Sequence, residues 1–222
     1  MTVKRKIFIL ICFMLASLTM LGQAKQSFAH DLTDGWKPLF DGKTLSGWKI
    51  VRYGGEGKPR VRKGALILPK AKKDGLMTGV CWIGDALPAI NYEIYYEARR
   101  TEGSDIFAAL TFPHAESYIT LIFGGWRGVI NGLSCIDGYD ASENETTQRF
   151  SLKNNEWHPV YLRVTTDSIR ATVGKEHIVN ISTAGKEFSL RHELLNTGLT
   201  FWTYLSTGEI RNIRFRNIEI KE

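Results

Sequence analysis

The chain of 222 residues is poor in cysteine and proline and lacks the short motifs of several common enzyme classes. It holds three cysteines and six prolines. No cysteine pair has the C-x-x-C spacing of redox or zinc sites, and H-E-x-x-H, the P-loop and a G-x-G-x-x-G after a strand are absent. None of the five histidines lies in a motif that announces a Ser-His-Asp triad. These absences argue against zinc, nucleotide and dinucleotide sites.

Long apolar runs are also scarce, and the one at the N-terminus has the features of a signal peptide. Lys4–Lys6 is a basic start, and Ile7–Met20 is an apolar run too short for an ordinary membrane span. Small residues then favour cleavage after residue 24 or after Ala29. We expect residues 1–24 to be a signal peptide, 25–33 a polar leader, and the product to be periplasmic or secreted with no stable membrane span after processing. An uncleaved anchor is the weaker alternative.

Removal of that segment changes the charge balance and the cysteine count. The formal net charge falls from +6 to about +3, so the basic composition does not imply a nucleic-acid partner. A small basic strip (Arg211, Arg214, Arg216) alternates with apolar residues, which is typical of a solvated strand face. Two cysteines remain, Cys81 and Cys135, and their apolar neighbours predict buried thiols. A disulfide between them in an oxidising compartment stays open.

The rest of the chain has the pattern of an all-β protein. Short apolar runs recur about every 8 to 14 residues, separated by turn residues. In one run Tyr92, Ile94 and Tyr96 share a face, while Glu93 and Glu97 share the other. No window keeps a helical period over three turns, and at most one short helix is expected, over Phe188–Leu195.

Eleven such runs cannot remain one flat open sheet, because twist and exposed edges force strands to stack or close. We therefore predict a single two-sheet β-sandwich of jelly-roll type over residues 34–222. A slip in the apolar phase of the last run predicts a bulge near Arg216-Asn217. The predicted core comprises Ile106, Ala108, Leu110, Ile119, Leu121, Val160, Leu162 and Phe215.

The stretch Gly124–Thr146 is the most polar and glycine-rich part of the predicted domain. Its four carboxylates lie within nine residues, and two amides and a hydroxyl accompany them. Such polarity between apolar strands predicts a binding site on a sheet edge, with a solvated hairpin loop as the alternative. The polar residues are Asp137, Asp140, Glu143, Glu145, Asn131, Ser134 and Asn144.

Sugar recognition suits these residue types. Aromatic rings stack on the C–H faces of pyranoses, and Asp, Asn and Arg such as Arg99 bind hydroxyls through paired hydrogen bonds. Trp126 and Trp202 are therefore candidate platforms or, equally, core residues. Asp105 opens an all-apolar strand and adds a further carboxylate. A second use of Asp137, Asp140 and Glu143 is to bind a divalent cation such as Ca²⁺, although their spacing fits no EF-hand loop. The E-x-D-x-x-E signature of laminarinase-like enzymes is missing, which argues against ordinary retaining glycosidase chemistry.

Four segments resemble one known family. Trp36–Trp48 (W-K-P-L-F-D-G-K-T-L-S-G-W) resembles the opening motif of the 3-keto-disaccharide hydrolase domain family, and Phe215–Ile218 (F-R-N-I) resembles its ending. Glu97–Asp105 and Gly124–Thr146 resemble its planctomycete-type branch. The likeness covers about residues 34–222. It departs at Gly198–Thr203, where many members carry G-L-Q-x-H-G and this chain has no histidine.

The resemblance implies a concanavalin A-like jelly roll that hydrolyses sugars already oxidised at C3. A C3 ketone acidifies the C2 proton, so a base can remove it, the C1 substituent departs, and water adds back. Asp105 or Glu143 would be the base, with Arg99 or a metal steadying the enolate. The partner would be a 3-keto-sugar or a glycan. Two alternatives remain: a non-catalytic, lectin-like carbohydrate-binding module and a structural envelope domain.

Overall fold

The computed structural model describes residues 32, 34–73, 75–191, 194 and 198–220. Within these residues, fifteen strands form two antiparallel sheets, which confirms the predicted all-β jelly-roll sandwich. The predicted signal peptide lies outside the described residues, so its cleavage site and the polar leader stay predictions. Among the described residues, no helix is long and apolar enough to cross a membrane.

The strands have these bounds in chain order: β1 (Lys37–Pro38), β2 (Trp48–Ile50), β3 (Arg60–Arg62), β4 (Ala65–Leu68), β5 (Met77–Trp82), β6 (Tyr92–Gly103), β7 (Ala109–His114), β8 (Ser117–Gly124), β9 (Ile130–Ser134), β10 (Gln148–Arg149), β11 (His158–Val164), β12 (Ser168–Val173), β13 (Glu176–Ser182), β14 (Thr200–Tyr204) and β15 (Ser206–Asn217). Sheet I has the order β13-β12-β11-β6-β15-β4-β3, with β1 also paired to β15. Sheet II has the order β10-β9-β8-β7-β14-β5-β2.

The main core lies between the two sheets. In sheet II, Leu110 pairs with Leu121 on one side and with Phe201 on the other, and all three side chains are fully buried. Tyr96 and Val160, which pair in sheet I, belong to the same cluster. All eight predicted core residues are buried, as expected.

A second, smaller cluster forms on the opposite face of sheet II. Because successive side chains alternate across a strand, Trp202 points away from the main core that contains its neighbour Phe201. Met77, Ile106 and Ile122 join Trp202 in this second cluster. The outer face of sheet II is therefore apolar and covered, and it forms the base of the site described below.

Two local predictions differ from the structure. The bulges of β15 lie between Thr207 and Gly208 and between Arg211 and Arg214, so the predicted bulge at Arg216-Asn217 is wrong. Asn212, with φ of 55°, accommodates the second shift, and the strand simply ends at Asn217.

The segment predicted to hold a helix has none in its described part. Phe188 forms a bridge with Ile136, and residues 189–191 are not helical; His192, Glu193 and Leu195 lie outside the described residues. Cys81 and Cys135 are both unpaired thiols, and both are half-buried rather than buried.

Candidate functional site

A cleft of about 270 Å³ opens on the outer face of sheet II. Its lining combines one carboxylate and one guanidinium with aromatic and apolar side chains. The lining residues are Gly75, Met77, Asp105, Ile106, Trp126, Arg191, Leu194, Trp202 and Tyr204. Three of the predicted site residues, Asp105, Trp126 and Trp202, therefore meet in one cleft.

A left-handed turn (Gly124–Gly128) at the end of β8 shapes one wall of the cleft. Gly124 has φ of 67°, and two non-glycine residues follow in the same region: Trp126 with φ of 49° and Arg127 with φ of 63°. Such torsion angles cost roughly 1–3 kcal/mol per non-glycine residue and cluster at functional sites. The turn leaves the Trp126 side chain 36% exposed at the cleft.

The same turn fixes the carboxylate of Asp105. The backbone N–H of Arg127 donates to Oδ2 of Asp105 at 3.0 Å, and the N–H of Ile106 donates to Oδ1 at 2.8 Å. Each oxygen keeps a further lone pair, because a carboxylate has about four acceptor positions. Asp105 is thus oriented by the backbone and can still accept a proton from a ligand.

Arg191 is the cation of the cleft, and sequence reasoning missed it. Its guanidinium lies 5.8 Å from the Trp126 ring centroid, and Nη1 donates to the carboxylate of Asp140. The other Asp140 oxygen accepts from the hydroxyl of Ser134 and, at 2.8 Å, from the N–H of Ala141. Asp140 and Ser134, both predicted to hold sugar, therefore lie behind Arg191 and outside the cleft lining.

Trp202 and Tyr204 form an aromatic part of the lining. Trp202 is 2% exposed, and its Nε1 donates to Oγ1 of Thr111 at 3.2 Å. Tyr204 pairs with Met77 on the neighbouring strand. Trp202 is packed in the second cluster, as the core alternative predicted, and it also lines the cleft. Its role as a sugar platform stays a prediction.

The two predicted amides stabilise the loop. Asn131 is fully buried; its Oδ1 accepts from the N–H of Gly124 at 2.9 Å and its Nδ2 donates to the Phe150 carbonyl at 3.0 Å. Asn144 donates from Nδ2 to the Leu133 carbonyl at 2.7 Å and accepts from the N–H of Thr146 at 2.9 Å. Their hydrogen-bonding groups are engaged by the protein, so the structure places neither side chain in the cleft.

The remaining acidic residues of the loop do not come together at one site. Oδ1 of the exposed Asp137 accepts from the N–H of Glu187 at 2.7 Å, and Glu145 pairs with Lys186. Glu143 is exposed and does not line the cleft. The described residues contain no group of three or more His, Cys, Asp or Glu side chains placed to hold a metal ion. Asp140, one of the three predicted Ca²⁺ ligands, already binds the guanidinium of Arg191. A divalent cation at Asp137, Asp140 and Glu143 stays a prediction.

Arg99, predicted to steady an enolate, lies on the outer face of sheet I. Its Nε donates to Glu209 at 2.8 Å, and its guanidinium lies 4.5 Å from the Trp157 ring centroid. Arg211 stacks on the same ring at 4.1 Å and pairs with Glu97. Arg99 therefore does not line the cleft, whose guanidinium is supplied by Arg191.

Sequence comparison identifies the family. The profile of the 3-keto-alpha-glucoside-1,2-lyase-like domain matches residues 35–221. The chain belongs to this family. Its opening and closing motifs had predicted the same membership, and the carbohydrate-related character of the family fits the aromatic cleft. No curated protein sequence matches the chain.

Solved structures share the fold of this family member at low sequence identity. A candidate glycosyl hydrolase from Parabacteroides distasonis is 11% identical with a TM-score of 0.55, covering 83% of this chain and 95% of that one. The Crh5 transglycosylase in complex with NAG is 8% identical with a TM-score of 0.60, covering 83% and 85%. The carbohydrate-binding module CBM66 from Bacillus subtilis is 8% identical with a TM-score of 0.52, covering 77% and 96%. These similarities concern the fold alone.

Proposed function

We propose that the protein cleaves the glycosidic bond of 3-keto-glycosides, with Asp105 as the base. The observation that carries the proposal is the Asp105 carboxylate, oriented by two backbone N–H groups in a cleft that also contains Arg191 and Trp126. Removal of a proton next to a ketone requires a base, here a fixed carboxylate, and a cation that stabilises the resulting enolate.

The proposed reaction consumes one water. Asp105 accepts the C2 proton, and the electron pair of the C2–H bond moves toward C3 to give an enolate. The enolate then forms the C1=C2 double bond as the C1–O bond breaks, and the departing oxygen leaves as an alcohol after taking up a proton. Water adds to C1 of the resulting enone, C2 regains a proton, and 3-keto-sugar is released.

Arg191 and Trp126 have complementary roles in this scheme. Negative charge develops on the C3 oxygen, and a guanidinium held in place by Asp140 can donate to it without reorganising. The exposed ring of Trp126 offers an apolar surface for the sugar C–H face. The term lyase in the family description supports the elimination step, and hydration would complete the hydrolysis.

The test is release of free 3-keto-glucose from 3-keto-trehalose or a simple 3-keto-glucoside. Asp105→Asn should abolish release with unchanged circular dichroism. Glu143→Gln is the matched control: it makes the same chemical change at an exposed carboxylate outside the cleft lining, and it should retain release. Parallel reactions with EDTA test whether a divalent cation is required. Equal loss in both variants, or none in Asp105→Asn, would remove Asp105 from this role.

A second candidate function is carbohydrate binding without catalysis. The exposed Trp126 beside an open cleft favours it, since ring stacking alone can hold a sugar. Sugar binding by the purified protein without turnover of any 3-keto-glycoside would favour this function over the enzyme.

We also propose that the protein is exported to the periplasm or secreted. The basic start and the apolar run at the N-terminus support this, and N-terminal sequencing of the mature protein should place its first residue after Ala24 or Ala29. A membrane-bound product that begins at Met1 would contradict export with cleavage.

A further inference from the structure

We propose that Arg100 is a positioning residue that fixes the Asp105 backbone and the left-handed turn relative to each other. The catalytic part of this inference rests on the proposed function of Asp105. The geometric part does not, because it concerns only the placement of two backbone segments.

Arg100 occupies a position where a charged side chain is unexpected. It belongs to β6, in which Tyr96 and Ala98 point into the main core, and Arg100 follows on the same face. The residue is 5% exposed. Among the described residues it forms no salt bridge, although a buried cation normally pairs with a carboxylate. A core position has no need of a guanidinium, so the contacts of this group indicate its role.

Three donors of the guanidinium bind three different acceptors. Nε donates to Oδ1 of Asn154 at 2.6 Å, Nη1 to the backbone carbonyl of Asp105 at 3.1 Å, and Nη2 to the backbone carbonyl of Leu152 at 3.2 Å. The guanidinium also lies 5.1 Å from the ring centroid of Phe107. One planar group thus joins the Asp105 segment to residues 152–154.

The left-handed turn packs directly on the same group. A Cβ placed on Gly124 would lie 3.1 Å from Nη1 of Arg100, and one placed on Gly128 would lie 3.4 Å from it. Both ends of the turn therefore lie close to the guanidinium, at residues where a side chain would crowd it. Since the N–H of Arg127, between these glycines, donates to Oδ2 of Asp105, Arg100 contacts both the backbone of Asp105 and the turn that orients its carboxylate.

Ser206 completes the support of the Asp105 backbone. Its hydroxyl accepts from the Asp105 N–H at 2.9 Å and is 2.9 Å from the Asp105 carbonyl, to which it donates. Burial lowers the pKa of Arg100, and the nearby charge of Asp105 opposes that effect. The charge at position 100 is thus close to Asp105, and its planar fork supplies directional bonds that a lysine would not reproduce.

The experiment compares Arg100→Met and Arg100→Lys with Arg99→Met as the matched control. Arg99 is the adjacent arginine and points to the opposite face of sheet I. With a 3-keto-glucoside as substrate, Arg100→Met should lower kcat about 100-fold, the loss that a displacement of about 1 Å can cause, while KM changes less than about threefold. Arg100→Lys should recover part of the loss. Arg99→Met should keep kcat within about threefold.

A second readout does not need turnover. The amide proton of Arg127 should lose exchange protection and shift in the NMR spectrum of Arg100→Met, and it should remain unchanged in Arg99→Met. If wild-type protein turns over no 3-keto-glycoside, the proposed function fails while this amide still decides the geometric claim. If Arg100→Met does not fold, Arg100→Lys decides with the same two readouts. Wild-type kcat together with an unchanged Arg127 amide in a folded Arg100 variant would overturn the inference.

Discussion

Substitution of Gly124 by alanine should destabilise the protein through two separate effects. Gly124 has φ of 67°, where an L-residue with a side chain costs about 1–2 kcal/mol more than glycine. The new Cβ would also lie 2.9 Å from Cε1 and 3.0 Å from Cδ1 of Phe107 and 3.1 Å from Nη1 of Arg100. Because these contacts are tighter than van der Waals contact, overpacking adds about 1–3 kcal/mol. Together the two effects predict a loss of about 2–5 kcal/mol.

Gly138→Ala is the control that separates the conformational cost from the overpacking cost. Gly138 has φ of 80°, but a Cβ there would meet nothing within 4 Å. Its substitution should therefore cost only the conformational part, about 1–2 kcal/mol. The effect of alanine on the unfolded chain is common to both variants and cancels in the comparison.

Urea unfolding followed by tryptophan fluorescence measures both free energies. We expect Gly124→Ala to be less stable than Gly138→Ala by about 1–3 kcal/mol and to lose turnover as well, because the turn carries Trp126 and the N–H that binds Asp105. Equal costs for the two variants would show that the Phe107 and Arg100 contacts are not as tight as described, and would refute the packing argument for the turn.

Three further predictions concern stability and binding. Leu110→Ala should cost about 2–5 kcal/mol in urea unfolding, because the side chain is fully buried between the sheets; a cost below about 1 kcal/mol would contradict that burial. Burial lowers the pKa of His114 from 6.5, so the folded state resists its protonation and the free energy of unfolding should fall as pH drops below about 6.5. Unfolding at pH 7.5 and 5.5 measures this, and a His114→Leu variant with the same pH dependence as wild type would disprove the assignment. Trp126→Ala should weaken sugar binding at least about tenfold by calorimetry, and unchanged affinity would exclude the ring as a platform.

Much of the fold was predictable because its signal is local and repeated. Apolar and polar residues alternate in segments such as Tyr92–Ala98, which indicates a strand with one buried face. Eleven such runs restrict the architecture to a sandwich or barrel. The short edge strands β1, β2, β3 and β10 were not predicted, since two or three residues carry no periodicity. The bulge at Asn212 was misplaced because register within a long strand depends on its partners in the sheet.

The site was predictable only in part, because it depends on contacts between distant segments. Asp105 stood out as a carboxylate at the start of an apolar run. Arg191, 51 residues beyond its partner Asp140, has no local motif, and its segment was expected to be helical. The polar side chains of Asn131 and Asn144 suggested ligand binding, but they form hydrogen bonds to the backbone of their own loop. Oδ1 of Asn144 accepts from both the N–H and the hydroxyl of Thr146, two residues later. This Asn-x-Thr spacing is the one sequence signal that could have indicated a structural role for Asn144.

The most direct test of the proposed chemistry is the fate of the hydrogen at C2. A 3-keto-glucoside turned over in D₂O should yield 3-keto-glucose with deuterium at C2, as seen by NMR, at a rate that falls at least about 100-fold in Asp105→Asn. Incubation of 3-keto-glucose alone with each protein corrects for exchange after release. Turnover that retains hydrogen at C2 and proceeds at an undiminished rate in Asp105→Asn would contradict the mechanism.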